Sequence, residues 1–137
     1  MGTTIDLRKE TVGRVPVEGI SQRVVIEEHF DAALVSGNLV SGNTYNYLTI
    51  PENFILTNAN IRVKSADGGA GTSTLTDGTI VPLAAQIMNA EGAFYGTTNL
   101  PKYYETGGVL SGVIAAANIT TAKFDVIVEG ILLSEHG

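Results

Sequence analysis

Three side chains that could hold a metal ion follow one another along one face of the first predicted strand. Glu27, His29 and Asp31 occupy every second position near the end of QRVVIEEHFD, residues 22–31, and alternate residues of a strand point to the same side. Two carboxylates and an imidazole are ligands that a divalent cation accepts. The same pattern is equally typical of a strand whose outer face meets water. Both interpretations stay open, and we expect the protein to be stable without a metal ion.

The sequence contains none of the motifs that position a catalytic nucleophile or a phosphate. Cys is absent, which excludes thiol catalysis and Cys-ligated zinc. There is no G-x-S-x-G motif, and Ser36, Ser41 and Ser111 each stand beside a Gly, as turn residues do. The Gly-rich residues 69–71 are not followed by the Lys-Ser/Thr of a phosphate-binding loop. We therefore expect no enzymatic activity, no cofactor and no bound metal.

A group of tyrosines is the other candidate for binding. Tyr95, Tyr103 and Tyr104 fall in residues 94–106, a segment predicted to be a loop. Tyr is enriched in protein interfaces, so the group is predicted to contact a partner protein. Stacking on a sugar and simple packing of the loop are the alternatives.

Residues 1–21 are predicted to form an N-terminal arm ahead of a single domain, residues 22–137. The arm is polar, and Gly13, Pro16 and Gly19 exclude a long helix. Such a segment can lie along another surface or add a strand to a partner's sheet; a frayed terminus is the alternative. Its candidate partner contacts are Arg8, Lys9, Arg14, Val15 and Val17.

The net charge of −6 is carried by the body of the chain. Residues 1–23 hold four basic and three acidic residues, a balance of +1, whereas residues 24–137 hold four basic and eleven acidic residues, a balance of −7. An acidic body is not attracted to nucleic acid or anionic lipid. The sequence also lacks a signal peptide and any apolar run near the roughly 18 residues of a membrane span. We expect neither a nucleic-acid partner nor a membrane partner.

Composition and alternation predict an all-β fold. Sixteen Gly, together with many Thr, Ser and Asn, favour strands joined by turns. Alternation of apolar and polar residues is clearest in residues 54–64 and 122–133. The predicted architecture is one β-sandwich or jelly-roll-like domain of about eight short strands. Its predicted inward side chains are Ile55, Ile61, Val63, Phe124, Val126 and Val128.

One short helical segment is predicted near residues 83–90. Leu83, Ile87 and Ala90 lie at helical spacing. Pro82 suits the first turn of a helix, and Gly92 could end it.

A series of turn and strand motifs spans residues 24–133. The motifs are Ser41-Gly42, Ile50-Pro51, Ala59, Val63, Asp77-Gly78, Phe94-Tyr95-Gly96 and Phe124-Asp125-Val126. Taken in this order, they resemble the small capsid auxiliary proteins of tailed bacteriophages, which are also called decoration, cement or head-stabilising proteins.

This resemblance implies a non-enzymatic structural protein of the virion. Such a protein would assemble in the host cytoplasm and bind the outer surface of a finished capsid, which it would stabilise. Its partners would be the major capsid protein and its own copies, most often as a homotrimer. The alternative is a carbohydrate- or receptor-binding β-module of a phage fibre, and it rests on Tyr95, Tyr103 and Tyr104.

Overall fold

Two β-sheets face each other in the computed structural model, which describes residues 2–8 and 22–133. The ten strands of this part of the chain are β1 (Thr4–Asp6), β2 (Gln22–Asp31), β3 (Thr44–Ile50), β4 (Phe54–Ser65), β5 (Thr72–Leu75), β6 (Leu83–Ile87), β7 (Gly92–Gly96), β8 (Lys102–Tyr104), β9 (Gly108–Ala115) and β10 (Lys123–Leu132). A single 3-10 turn, Ala32–Leu34, follows β2.

Each sheet contains five strands. Sheet A has the order β1-β3-β9-β5-β6, and sheet B has the order β2-β10-β4-β7, with β8 also paired to β4. The long β4 therefore pairs with β8 near its start and with β7 near its end. The pair β1–β3 is parallel, whereas β10 runs antiparallel to both of its neighbours. The predicted all-β sandwich is confirmed, with ten strands instead of about eight.

Aromatic side chains join the two sheets at the centre of the core. Tyr47 of sheet A packs against Phe30 and Phe124 of sheet B, with ring centroids 5.1 and 5.7 Å away, and these two phenylalanines are 5.5 Å apart. Separations of this size suit tilted and edge-to-face contacts. The buried Tyr47 hydroxyl is 2.8 Å from Ser73 Oγ, so its polar end is satisfied inside the sandwich.

The side chains of β4 change faces in the middle of the strand. Its fully buried residues are Phe54, Leu56, Ala59 and Ile61, and Val63 is 2% exposed. These buried positions are thus two residues apart along the strand, except for one interval of three between Leu56 and Ala59. A strand keeps strict alternation only where its pairing is regular, so the extra residue marks a β-bulge.

The bulge lies opposite β10, where Glu129 pairs with Asn58 and Gly130 pairs with Leu56. The glycine is needed there, because a Cβ on Gly130 would lie 2.2 Å from the carbonyl oxygen of Ile55. The predicted inward position of Ile55 is wrong, since the bulge turns this side chain to the outer face, where it is half-buried. The other five predicted inward side chains are all buried.

The helical segment predicted near residues 83–90 is also wrong. Leu83–Ile87 forms strand β6, which pairs antiparallel with β5. Leu83 is buried, but Ile87 is 41% exposed, so the two do not share one apolar helical face. Pairing with β5 satisfies the backbone hydrogen bonds and overrides a weak helical preference. The segment 94–106, predicted as a loop, likewise contains part of β7 and all of β8.

The beginning of the predicted arm pairs with the domain that follows it. Strand β1 aligns Thr4 with Thr44 of β3, and beyond it the Leu7 N–H donates to the carbonyl of Asn46 at 2.9 Å. The rest of the arm, including Lys9, Arg14, Val15 and Val17, lies outside the described residues. The binding role of those four side chains stays a prediction.

The phase change in β4 can be tested by making one substitution on each side of the bulge. Ile61→Ala should lower the free energy of unfolding by about 2–5 kcal/mol, because the side chain is fully buried. Ile55→Ala should cost clearly less, because its side chain lies on the outer face. Urea unfolding of both variants measures the difference. Equal costs, or a larger cost at Ile55, would contradict the bulge.

Candidate functional site

A buried carboxylate on the outer side of sheet B gathers three basic side chains. Asp125 of β10 has no exposed side-chain surface, and it pairs with His29 of β2 on one side and Arg62 of β4 on the other. Its Oδ1 is 2.5 Å from His29 Nδ1 and 3.0 Å from Lys64 Nζ. Its Oδ2 accepts hydrogen bonds from Arg62 Nε, at 3.0 Å, and from Arg62 Nη2. Strand register thus builds a network centred on one carboxylate.

This network, and not Glu27-His29-Asp31, contains the one metal-like grouping among the described residues. Glu27, His29 and Asp125 each bring one ligand atom within 4.8 Å of the others. Both Asp125 oxygens already accept hydrogen bonds, however, and Arg62 also donates to Glu27 Oε1 at 3.1 Å. Fixed positive charges at this distance repel a metal cation. The arrangement is therefore that of a salt-bridge network.

The sequence pattern indicated the wrong third acid. Asp31 turns to the 3-10 turn that follows β2, where its Oδ1 accepts a hydrogen bond from the Ala33 N–H at 3.0 Å. Asp125 takes the central position although it stands 96 residues from His29. The one local signal was a single acid inside the apolar run FDVIV. Only the pairing of β10 with β2 and β4 reveals its partners.

The Asp125 network changes the protonation of its central group. Burial by itself raises the pKa of Asp125, but the hydrogen bonds from His29, Arg62 and Lys64 outweigh it, and the pKa lies below its ordinary value. The carboxylate is thus held in its charged form. A buried charge is tolerated only when it is paired and hydrogen-bonded in this way.

A second buried acid, Asp67, holds a loop in place. Its Oδ1 accepts hydrogen bonds from the backbone N–H groups of Thr120, Thr121 and Ala122 at 2.8, 2.7 and 3.2 Å. Its Oδ2 accepts one from the Gly69 N–H at 2.9 Å. Burial raises the pKa of Asp67, but these backbone donors outweigh it and lower the pKa. The group has no capacity left for a ligand and serves the structure.

A third acid organises the turn after β5. Asp77 accepts hydrogen bonds from the backbone N–H groups of Thr79 and Ile80, both at 2.8 Å. Its other oxygen accepts from Tyr104 Oη at 2.8 Å and from Lys102 Nζ. Burial raises the pKa of Asp77, but these donors outweigh it, and the pKa lies below its ordinary value. Asp77, like Asp67, is fully engaged.

The three predicted tyrosines divide between core and surface. Tyr104 is 6% exposed, and its hydroxyl serves the Asp77 turn. Tyr95 on β7 and Tyr103 on β8 are 72% and 48% exposed. Both lie on the outer face of sheet B, where Tyr95 pairs with Asn60 and Tyr103 with Ile55. The structure therefore leaves two tyrosines, not three, available to a partner.

Arg8 is the one predicted basic contact of the arm that the structure describes. Its guanidinium donates to Asp6 Oδ1 at 2.8 Å, to Asp6 Oδ2 at 2.9 Å and to Thr49 Oγ1 at 3.3 Å. The hydrogen bonds that Asp6 accepts from the Arg8 guanidinium and from the Arg8 backbone N–H lower the pKa of Asp6 to about 2. The side chain thus ties the end of β1 to β3.

Comparisons with known proteins link this fold to phage capsids. No protein-family model matches the chain, and no curated protein matches it either. A chain in the capsid asymmetric unit of cyanophage Pam1 superposes with a TM-score of 0.65 and 16% identity, covering 90% of this chain and 94% of that one. A chain in the capsid of Ralstonia phage GP4 gives a TM-score of 0.64 and 18% identity, covering 94% and 98%. At these identities the likeness establishes a shared fold.

In the described residues, no helix has the length and apolar character needed to cross a membrane.

The Asp125 network should make stability depend on pH in acid. The pKa of Asp125 in the folded state lies below the value of about 3.9 in an unfolded chain. At pH values between these two pKa values, the unfolded state therefore binds more protons than the folded state. The network's contribution is therefore complete above pH ~4 and is lost as the pH falls through the folded pKa. Asp125→Asn should remove this contribution and lower the free energy of unfolding at neutral pH by about 1–3 kcal/mol.

Urea unfolding of the wild type and of Asp125→Asn across the acid range measures the effect. Glu91→Gln is the control, because Glu91 is an exposed carboxylate. The gap between the wild type and Asp125→Asn should narrow as the solution is acidified. A gap that stays constant down to strong acid would contradict the role of the network.

Proposed function

We propose that this chain is a non-enzymatic structural protein of a phage virion that binds the outside of an assembled capsid and stabilises it. The observation that carries the proposal is the superposition with chains from two phage capsid structures. The matches cover 90% of this chain and 94% of the other in one pair, and 94% and 98% in the second pair, so nearly the whole of each chain shares the fold. The motifs in residues 24–133 point to the same class of protein.

The chemistry of the domain is compatible with a structural role. The acids with the most partners, Asp67, Asp77 and Asp125, each hold backbone or side-chain groups of the chain itself. In an active site, acids with shifted pKa values usually face a cleft, where they can act on a substrate. Here their hydrogen bonds fix loops and strands instead. The perturbed protonation states therefore favour a rigid body over a catalyst.

Binding to a shell would work through repetition. Each subunit would contact the major capsid protein and neighbouring copies of itself, in a homotrimer, and each contact could be weak. Linked contacts raise the effective concentration of the next one, so the assembly binds far more tightly than a single site. A small domain without a catalytic centre can reinforce a capsid in this way.

The proposal is tested by adding the purified chain to capsid shells that lack it. We expect the chain to sediment with intact shells and to raise their disruption temperature. Binding should saturate at a fixed number of copies per shell, since the lattice offers a fixed number of sites. A chain that stays in the supernatant with shells of its own phage would contradict the proposal.

The arm should contribute to this attachment. Lys9→Ala combined with Arg14→Ala should weaken shell binding and leave the melting transition of the isolated protein unchanged, because neither residue is expected to contribute to the core. Co-sedimentation and thermal unfolding measure the two effects. Thr79→Ala, which alters the exposed turn near Asp77, serves as the control for binding. Undiminished attachment of the double variant would leave the arm without a binding role.

The exposed pair Tyr95 and Tyr103 also fits the second candidate, a carbohydrate- or receptor-binding module of a phage fibre. Aromatic rings on a sheet face can stack on sugars, and 72% of Tyr95 is exposed. A glycan array separates the two functions. Saturable sugar binding that Tyr95→Ala abolishes, together with a failure to bind shells, would favour the fibre module.

A further inference from the structure

We infer that copies of this chain associate through the outer face of sheet B. This outer B face consists of the outward side chains of β2, β10, β4, β7 and β8. The inference rests on the proposed function for its place on a capsid, but the contact is a property of the free chain and can be measured without shells.

Apolar side chains cross the outer B face in two rows. In the first, Ile131 of β10 pairs with Ile55 of β4, which pairs with Tyr103 of β8. In the second, Ile127 of β10 and Tyr95 of β7 flank Asn60 of β4, a polar residue that is 5% exposed. Neighbouring strands lie about 4.8 Å apart, so each row spans roughly 10 Å. The bulge in β4 is what brings Ile55 into the first row.

Three large hydrophobic side chains of the outer B face are exposed. Tyr95 is 72% exposed, Val25 of the edge strand β2 is 55% exposed and Tyr103 is 48% exposed. Tyrosine and arginine are the residue types that most often dominate the energy of a protein interface. Arg62 lies in the same face, beside the second row. The composition is therefore that of a contact surface.

The charges of the outer B face identify its occupant as a second copy of the chain. The outward positions of β2, β4 and β10 hold four basic residues, Arg23, Arg62, Lys64 and Lys123, and four acidic residues, Glu27, Asp31, Asp125 and Glu129. The remaining four basic and ten acidic residues of the chain carry the whole net charge of −6. Two acidic copies repel each other least when they approach through a neutral face. A basic partner would be drawn to the other surfaces.

Much of the charge on this face is already paired within the subunit. Arg62 joins Glu27 and Asp125, and Lys64 joins Asp125. Burying a charge whose partner is in place avoids the large penalty of an isolated buried ion. A second copy can therefore cover the face without supplying new counter-charges.

The outer face of sheet A provides the matched control. It also carries little net charge, but for a different reason, because β3, β5, β6 and β9 contain no charged residue. Its outward positions combine short polar side chains, such as Thr44, Thr72 and Thr74, with the apolar Ile87, which pairs with Thr72 and is 41% exposed. Val113, which is 37% exposed, is the counterpart of Val25. Val25→Lys and Val113→Lys both place a lysine at an exposed valine. The two variants differ in the sheet face that carries the substitution.

The experiment measures the mass of the full chain by sedimentation equilibrium over a range of concentrations. Wild type should associate, and Val113→Lys should behave like it. Val25→Lys should weaken association by about tenfold or more, since it replaces an exposed apolar contact of the outer B face with a long, hydrated side chain. The new lysine stands opposite Glu129, so folding should be retained. Tyr95→Ala, a truncation at an exposed site, should weaken association in the same direction.

Four outcomes decide the inference. A wild type that stays monomeric at every concentration overturns it. The inference is also overturned if Val113→Lys weakens association while Val25→Lys and Tyr95→Ala leave it unchanged. If Val25→Lys and Tyr95→Ala associate like the wild type but no longer bind shells, the outer B face contacts the capsid. That result also overturns the inference. Association that weakens as expected while no variant binds shells supports the inference and contradicts the proposed function.

Discussion

The pairing of β10 with β2 on one side and β4 on the other is the interaction on which the rest of the structure depends. It runs the whole length of the strand. Its inward residues Phe124, Val126 and Val128 are fully buried and contribute to the contact between sheets. Its outward Asp125 joins the basic groups of both neighbouring strands. One strand thus connects the core, the salt-bridge network and the surface assigned to subunit contacts.

Local patterns predicted the parts of the fold that local chemistry determines. The alternation in residues 122–133 identified β10 and its inward side correctly, because its pairing is regular over residues 124–129 and β10 itself carries no extra residue at the bulge. In β4 the same reasoning failed at Ile55, since a β-bulge is a property of two strands and not of one. The helical spacing of Leu83 and Ile87 was misleading for a related reason. Whether β6 can pair with β5 depends on residues in another segment, since Leu83 pairs with Leu75 and Ile87 with Thr72.

The site was less predictable than the fold. Glu27 and His29 were identified from their spacing, but Asp125, Arg62 and Lys64 reach them only through strands that are distant in sequence. The exposed Tyr95 and the buried Tyr104 look alike in the sequence, and burial depends on the side of the sheet to which each strand turns its residues. Physical proximity between strands, which no single segment encodes, made the difference in both instances.

The division of charge gives the molecule two kinds of surface. The outer B face balances its acids and bases, and sheet A is almost without charge, so the net negative charge is carried by the rest of the chain. At about 0.1 M salt, repulsion between acidic groups that are more than roughly 10 Å apart is largely screened. Association through a neutral face is therefore expected to respond weakly to ionic strength, in contrast to contacts made by the basic side chains of the arm.

The position of β10 in the chain also affects how the protein can form during its synthesis. It follows all the other described strands, yet it fills the place between β2 and β4. While the ribosome is still translating residues before 123, those two strands have no central partner, and sheet B cannot close. Sheet B can be completed only after the last strand has emerged from the ribosome. Pairing between segments that are distant in sequence is also slow in itself. A nascent chain truncated before residue 123 would leave a long gap in sheet B and expose strands that are prone to aggregate.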